Sequence, residues 1–208
     1  MANDADAAGR AETEARRARL AEIIRRKSFR CGELFRLSTG IDSNVYFNMK
    51  PTMMDAAGAG LLGHLMHDRL RAARADYAGG LELGAVPLTA SAITHSAATD
   101  FPVNGFFVRK KTKDYGAKLR LEGLAPGETL AGRRVAVIED VCTTGAAAFA
   151  AVEDVRAAGG EVVLVLAVID RQEGAAALMK REGLAFEALF RADEFIPSGF
   201  NRLPPVSP

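Results

Sequence analysis

From about residue 11 to residue 190, short continuous apolar runs alternate with apolar stripes at helical spacing. The first stripe, Leu20, Ile23 and Ile24, predicts a helix from Ala11 to Lys27 with arginines over its remaining surface. Leu34–Leu37 and Val45–Met49 are expected to be short strands. The turn-forming residues Thr39, Gly40, Ile41, Asp42, Ser43 and Asn44 join them. A helix follows over Ala56–Ala75, then a strand over Tyr77–Leu83 interrupted by Gly79 and Gly80. Pro87 suits the first turn of a helix reaching Thr99, and Gly105–Arg109 suits a strand. Residues 111–126 carry charge and glycine with few large apolar groups, which predicts a long loop. Strand 135–139, helix 146–158, strand 161–170, helix 173–182 and strand 186–190 continue the alternation. This order implies an open, mainly parallel twisted sheet with helices on both faces. Residues 1–9 are rich in Ala and Asp and are expected to be disordered, and the proline-rich tail 197–208 to be irregular.

Composition narrows the setting. At 208 residues and 49% hydrophobic content, the chain suits one α/β domain with a sizeable core. A net charge of +1 gives no support for a nucleic-acid surface or a membrane-bound helix. The arginines at 16, 17, 19, 25 and 26 form either a basic binding face or an ordinary solvated helix surface. Cys31 and Cys142 make neither a disulfide framework nor a metal spacing, which suits a reducing, cytoplasmic setting. No apolar run reaches 18 residues, and the acidic start (Asp4, Asp6, Glu12, Glu14) resembles neither a secretory signal nor a transit peptide. His64 and His67 can share a helix face, but no HExxH pattern or further ligand cluster accompanies them. A half-buried helix face accounts for them better than a metal site.

The chemistry concentrates in residues 135–147, VAVIEDVCTTGAA. Four apolar residues, Val135 to Ile138, read as a buried parallel strand ending in two carboxylates, Glu139 and Asp140. Thr143, Thr144 and Gly145 then lead into a helix opening at Ala146. Hydroxyls and backbone N–H groups at a helix N-terminus suit a phosphate monoester. The carboxylates would repel that phosphate and suit instead a ribose diol beside Mg²⁺. A small side chain is needed inside the loop, so Cys142 suits a packing role. No Gly-Lys-Ser/Thr follows, and the glycines lack dinucleotide-fold spacing. Separately, Arg109, Lys110, Lys111 and Lys113 lead from a strand into the long loop, a mobile cationic cover for a polyanion.

The 135–147 segment resembles the phosphoribosyl pyrophosphate (PRPP) motif of type I phosphoribosyltransferases. Four further segments extend the likeness: Phe35-Arg-Leu-Ser-Thr-Gly40, Tyr46-Phe-Asn48, Arg109 to Gly116, and Asp170-Arg-Gln-Glu-Gly174. Their order and spacing are similar to those of the orotate phosphoribosyltransferase family over roughly residues 15–196. The resemblance implies a single domain over 1–208. Residues 10–50 would form a helix and a small hood, and a long mobile loop would cover the site. It implies Mg²⁺-dependent transfer of the 5-phosphoribosyl group from PRPP to orotate, a step of pyrimidine and UMP biosynthesis. It implies that Glu139 and Asp140 hold the ribose hydroxyls and that Val141, Cys142, Thr143, Thr144, Gly145, Ala146 and Ala147 wrap the 5′-phosphate. Arg109, Lys110, Lys113 and Tyr115 would meet the pyrophosphate, with Lys113 the catalytic cation.

On the base side, the resemblance implies that Tyr46 and Phe47 flank orotate and that Arg171 pairs with its carboxylate, with Thr143 and Lys50 nearby. Core packing is the alternative for the two aromatic residues. A salt bridge to Asp170 or Glu173 is the alternative for Arg171. Mg²⁺ would be held by PRPP rather than directly by the protein, with water linking it to Glu139 and Asp140. A homodimer whose loop 109–122 acts in trans is implied too. The chain departs from many members at Ser38, where they carry lysine, and at Tyr115, where they carry histidine. A type I transferase for a purine or uracil, or a non-catalytic PRPP-sensing regulator, are the competing readings.

Overall fold

The computed structural model describes residues 2–36, 42–110 and 120–203. Ser38, Lys111, Lys113, Tyr115, half of the turn at 39–44 and most of the cationic loop therefore lie outside the described residues.

Helix α1 (Ala2–Lys27) leads into a hairpin of β1 (Phe29–Arg36) and β2 (Asp42–Phe47), which pair antiparallel. The helix starts nine residues ahead of the expected Ala11, running through the stretch expected to be disordered; alanine's high helix propensity favours this. A short α2 (Lys50–Met53) precedes α3 (Ala56–Ala72), whose N-cap is Asp55, accepting from the Gly58 N–H at 2.9 Å. The chain continues through β3 (Tyr77–Leu81), α4 (Ala85–Ser96), β4 (Asn104–Val108), β5 (Leu121–Glu122) and β6 (Arg134–Cys142). It ends with α5 (Ala146–Ala157), β7 (Glu161–Asp170), α6 (Ala175–Arg181) and β8 (Phe186–Arg191). Strand β5 lies within the stretch expected to be loop.

Among the described residues six strands form the main sheet in the order β5-β4-β3-β6-β7-β8, with only β5 antiparallel to its neighbour. Strand alternation divides the core between the two faces. Ala136, Ile138, Leu164, Leu166 and Val168 pack with residues of α1, α3 and α4, such as Leu20, Leu62 and Leu88. Val135, Val137, Val165 and Ala167 pack with Ala151, Val152 and Val155 of α5 and Met179 of α6. Gly79 and Gly80 lie inside β3 rather than interrupting it. A Cβ at Gly80 would stand 2.0 Å from the Ile138 carbonyl oxygen, so only glycine lets β3 approach β6 this closely.

Two arginines of α1, Arg17 and Arg25, have partners in the C-terminal segment. Arg17 donates to the Leu189 carbonyl at 3.1 Å, pairs with Glu194 and lies over the Phe190 ring. Arg25 donates to the Glu194 carbonyl at 3.0 Å and lies over Phe195. Two arginines of the run thus clamp the N-terminal helix to the C-terminal segment. The described part of the tail, 197–203, has no helix or strand, yet it is bonded to the hairpin: Asn44 donates to the Asn201 carbonyl at 2.7 Å.

Candidate active site

Strands β3 and β6 are neighbours whose next parallel partners, β4 and β7, lie on opposite sides. The order of the sheet reverses there, and open α/β sheets bind ligands beyond the carboxyl ends of the strands at such a point. A cavity of about 450 Å³ lies there, lined by the residues after both strands. Glu82, Leu83 and Gly84 follow β3, and Glu139, Asp140, Val141 and Thr143 come from the end of β6 and its loop. Arg36, Tyr46 and Phe47 of the hairpin form a third wall, and Lys50, Lys110, Ala147 and Arg171 complete the lining.

Four fully buried residues, Val135 to Ile138, anchor the strand that delivers the acidic pair. Glu139 is itself buried, and its Oε2 has no hydrogen-bond partner among the described residues. Its Oε1 accepts the Asp140 N–H at 3.2 Å, and Asp140 Oδ1 accepts the Val141 N–H at 2.9 Å. Burial, reinforced by the adjacent Asp140 charge, pushes the Glu139 carboxyl well above the usual carboxylate range. A buried carboxyl with an unused oxygen is an unmet demand for a donor or a cation. The wall opposite is close: a Cβ at Gly84 would stand 2.6 Å from Asp140 Oδ1. Lys110 reaches the same end, its backbone N–H donating to Glu82 at 2.8 Å.

Beyond the acidic pair the chain turns through Gly145, whose φ of +85° falls in the left-handed region that glycine tolerates. Helix α5 starts at the next residue, so the N–H groups of its first turn face the loop, that of Ala146 donating to Thr144 Oγ1 at 3.4 Å. Loop placement is secured by the Ala175 N–H donating to the Thr143 carbonyl at 3.2 Å. Cys142 is buried behind the loop, where desolvation pushes its thiol far up, so it packs rather than reacts.

The fold brings together ten of the expected residues: Tyr46, Phe47, Lys50, Lys110, Glu139, Asp140, Val141, Thr143, Ala147 and Arg171 all line the cavity. Cys142, Thr144, Gly145 and Ala146 belong to the loop without lining it, and Arg109 is turned toward Glu122, 3.7 Å away. Lys113 and Tyr115 lie outside the described residues. Phe47 also packs into the core, its ring 5.1 Å from Phe29 and edge-on to Phe195, while Tyr46 stacks on Phe35.

Arg171 lines the cavity and also makes the salt bridge to Glu173 given as its alternative. It is buried, its Nη1 donates to the Val45 carbonyl at 3.1 Å and its Nη2 to Ser43 Oγ at 3.1 Å. Nε and Nη2 both donate to Glu173, at 3.1 and 2.8 Å. With five N–H groups on a guanidinium, these bonds leave one Nη1 hydrogen without a partner among the described residues, open to a ligand. Arg36, quoted within the segment 35–40 but given no role there, and Leu81, Glu82, Leu83 and Gly84, not singled out in the sequence, also line the cavity. The last three stand after β3 as the acidic pair stands at the end of β6, which is the signal that could have found them. Among the described residues no group of His, Cys, Asp and Glu is arranged to hold a metal ion. His67 instead engages the Phe101 carbonyl through Nε2 at 2.8 Å.

The sheet order, the paired carboxylates and the Thr-Thr-Gly loop define the class: the chain has a type I phosphoribosyltransferase fold. No family model matches the chain. It is 51% identical over 182 residues to an orotate phosphoribosyltransferase of Rhodopseudomonas palustris (strain TIE-1), covering 88% of this chain and 97% of that protein. The structure of Mycobacterium tuberculosis H37Rv orotate phosphoribosyltransferase in complex with Fe(III) dicitrate superposes with a TM-score of 0.74 at 34% identity. That match covers 86% of this chain and 98% of the other. The same M. tuberculosis enzyme in complex with PRPP gives a TM-score of 0.69 at 30% identity, covering 88% and 92%. The chain belongs to the orotate phosphoribosyltransferase family.

Proposed function

We propose that this protein transfers the 5-phosphoribosyl group of PRPP to orotate, yielding orotidine 5′-monophosphate and pyrophosphate. The observation that carries the reading is the buried Glu139 beside Asp140, set against the Thr-Thr-Gly loop at the point where the sheet order reverses. The family membership supports it, as does the PRPP complex of the M. tuberculosis relative.

Glu139 and Asp140 accept the ribose hydroxyls, which offer the donors that Glu139 Oε2 lacks. Backbone N–H groups from Val141 to Ala147 and the hydroxyls of Thr143 and Thr144 hold the 5′-phosphate, aided by the α5 dipole. Lys110 lines the pyrophosphate end; Arg109, Lys113 and Tyr115 are assigned contacts with the pyrophosphate in this reading, and Tyr46 and Phe47 border the base. Arg171 offers its remaining N–H to the base while holding the hairpin that carries those aromatics. The reacting carbon passes through an oxocarbenium-like state, so positioning and leaving-group stabilisation supply most of the rate. Glu139 and Asp140, with the unused Glu139 Oε2, would hold Mg²⁺ carried by PRPP through water, and the ion would supply positive charge against the departing pyrophosphate. A cytoplasmic homodimer with loop 109–122 reaching the neighbouring site completes the reading.

The test is loss of orotate absorbance with PRPP and Mg²⁺, run beside uracil and a purine. Turnover with orotate alone supports the assignment. Turnover with another base but not orotate leaves only the transferase class, and no turnover with any base favours the PRPP-sensing alternative.

A further inference from the structure

Orotate carries a carboxylate, and a carboxylate entering a pocket needs a cation or strong donors. Among the described residues four cations line the cavity: Arg36, Lys50, Lys110 and Arg171. Two have other work. Arg171 is committed to Val45, Ser43 and Glu173, and Lys110 stands at the end occupied by Glu82 and Glu139. Arg36 differs from both. It leaves the end of β1 directly opposite Asp42 of β2 and reaches the cavity beside Tyr46 and Phe47, the wall assigned to the base. Its hydrogen bond and ion pair with Asp42 span 3.5 Å between side chains that are 73% and 47% exposed. Exposed pairs of this kind contribute little, so an incoming carboxylate can displace Asp42 from the guanidinium.

We infer that Arg36 is the specificity-determining cation for the carboxylate of the base, exchanging Asp42 for the substrate. This inference rests on the orotate reading above. A guanidinium presents two parallel N–H groups to a carboxylate, which the Lys50 ammonium cannot match in geometry. Arg171 then acts chiefly by holding the hairpin in place.

The test compares Arg36→Ala, Arg36→Lys, Lys50→Ala and Asp42→Asn with the parent by steady-state kinetics, with thermal melting as a control for folding. Arg36→Ala is expected to raise KM for orotate about tenfold, the low end for a charge-assisted contact because the side chain is exposed, and to leave KM for PRPP nearly unchanged. Arg36→Lys should recover part of the loss, Lys50→Ala should cost less than Arg36→Ala, and Asp42→Asn should not raise KM for orotate. The inference is overturned if Arg36→Ala binds orotate like the parent or shifts KM for PRPP instead. It is overturned too if Lys50→Ala is the costlier change, or if Asp42→Asn raises KM, which would make the ion pair a support for the hairpin. A parent that turns over orotate beside an indifferent Arg36→Ala separates this failure from failure of the orotate assignment; a parent inactive with orotate removes both.

Discussion

Replacing Arg171 with alanine removes a side chain that is only 3% exposed and makes four hydrogen bonds. Two of these bonds reach Val45 and Ser43, more than 120 positions away, and tie the hairpin to the segment after β7. Deleting one partner of a buried, hydrogen-bonded ion pair costs about 3–5 kcal/mol. Glu173 keeps its contact with Arg202, which softens that penalty. The Val45 carbonyl and Ser43 hydroxyl lose a donor in a buried setting, which adds to it. The expected net loss is about 2–4 kcal/mol, a large part of the typical 5–15 kcal/mol of a whole domain. Urea unfolding followed by circular dichroism, at one fixed protein concentration, measures it as a lowered midpoint. Kinetics well below the midpoint should also show a raised KM for orotate with KM for PRPP nearly unchanged, because the hairpin carries Tyr46 and Phe47. A variant within about 0.5 kcal/mol of the parent, the range of an ordinary surface substitution, would refute the clamp reasoning.

Three further outcomes are expected. The Glu139 carboxyl is raised to about 8 by burial and Asp140, so the folded state holds a proton that the unfolded chain releases near its ordinary value of about 4.3. Its contribution to stability is complete below that value and is lost as pH rises toward 8; Glu139→Gln should flatten this part of the stability–pH curve by on the order of a few kcal/mol, and an unchanged slope would contradict the burial argument. Asp140→Asn should lose most turnover at near-parental stability, because Asp140 is half-buried and its carboxylate bonds only the adjacent Val141 N–H among the described hydrogen bonds; parental kcat and PRPP affinity would sink its assigned role. Lys113→Ala should lower kcat more than it weakens PRPP binding, and mixing it with Asp140→Asn chains should regenerate activity in heterodimers; no recovery on mixing counts against a loop acting in trans.

What could be read along the chain was local. The apolar runs of β6 and β7 predicted buried parallel strands because a strand covered on both faces has no polar side to show. The carboxylates and the Thr-Thr-Gly turn were legible because strand, acid pair, loop and helix N-terminus are contiguous. Tertiary structure decided which distant groups meet. Residues 121–122 have little apolar signal, and they form β5 by pairing with Phe107 and Val108 of the edge strand. Gly79 and Gly80 suggested an interruption because glycine weakens an isolated strand, whereas the reason for them is the neighbouring backbone of Ile138 and Phe106. Arg36 reaches the cavity only because the hairpin lies against the carboxyl ends of the sheet, and Arg171 is enclosed only because that hairpin and the tail both return to it. Hydrophobic spacing encodes which face of an element is buried; it does not encode the partner, because strand order and register bring residues more than a hundred positions apart within hydrogen-bonding distance.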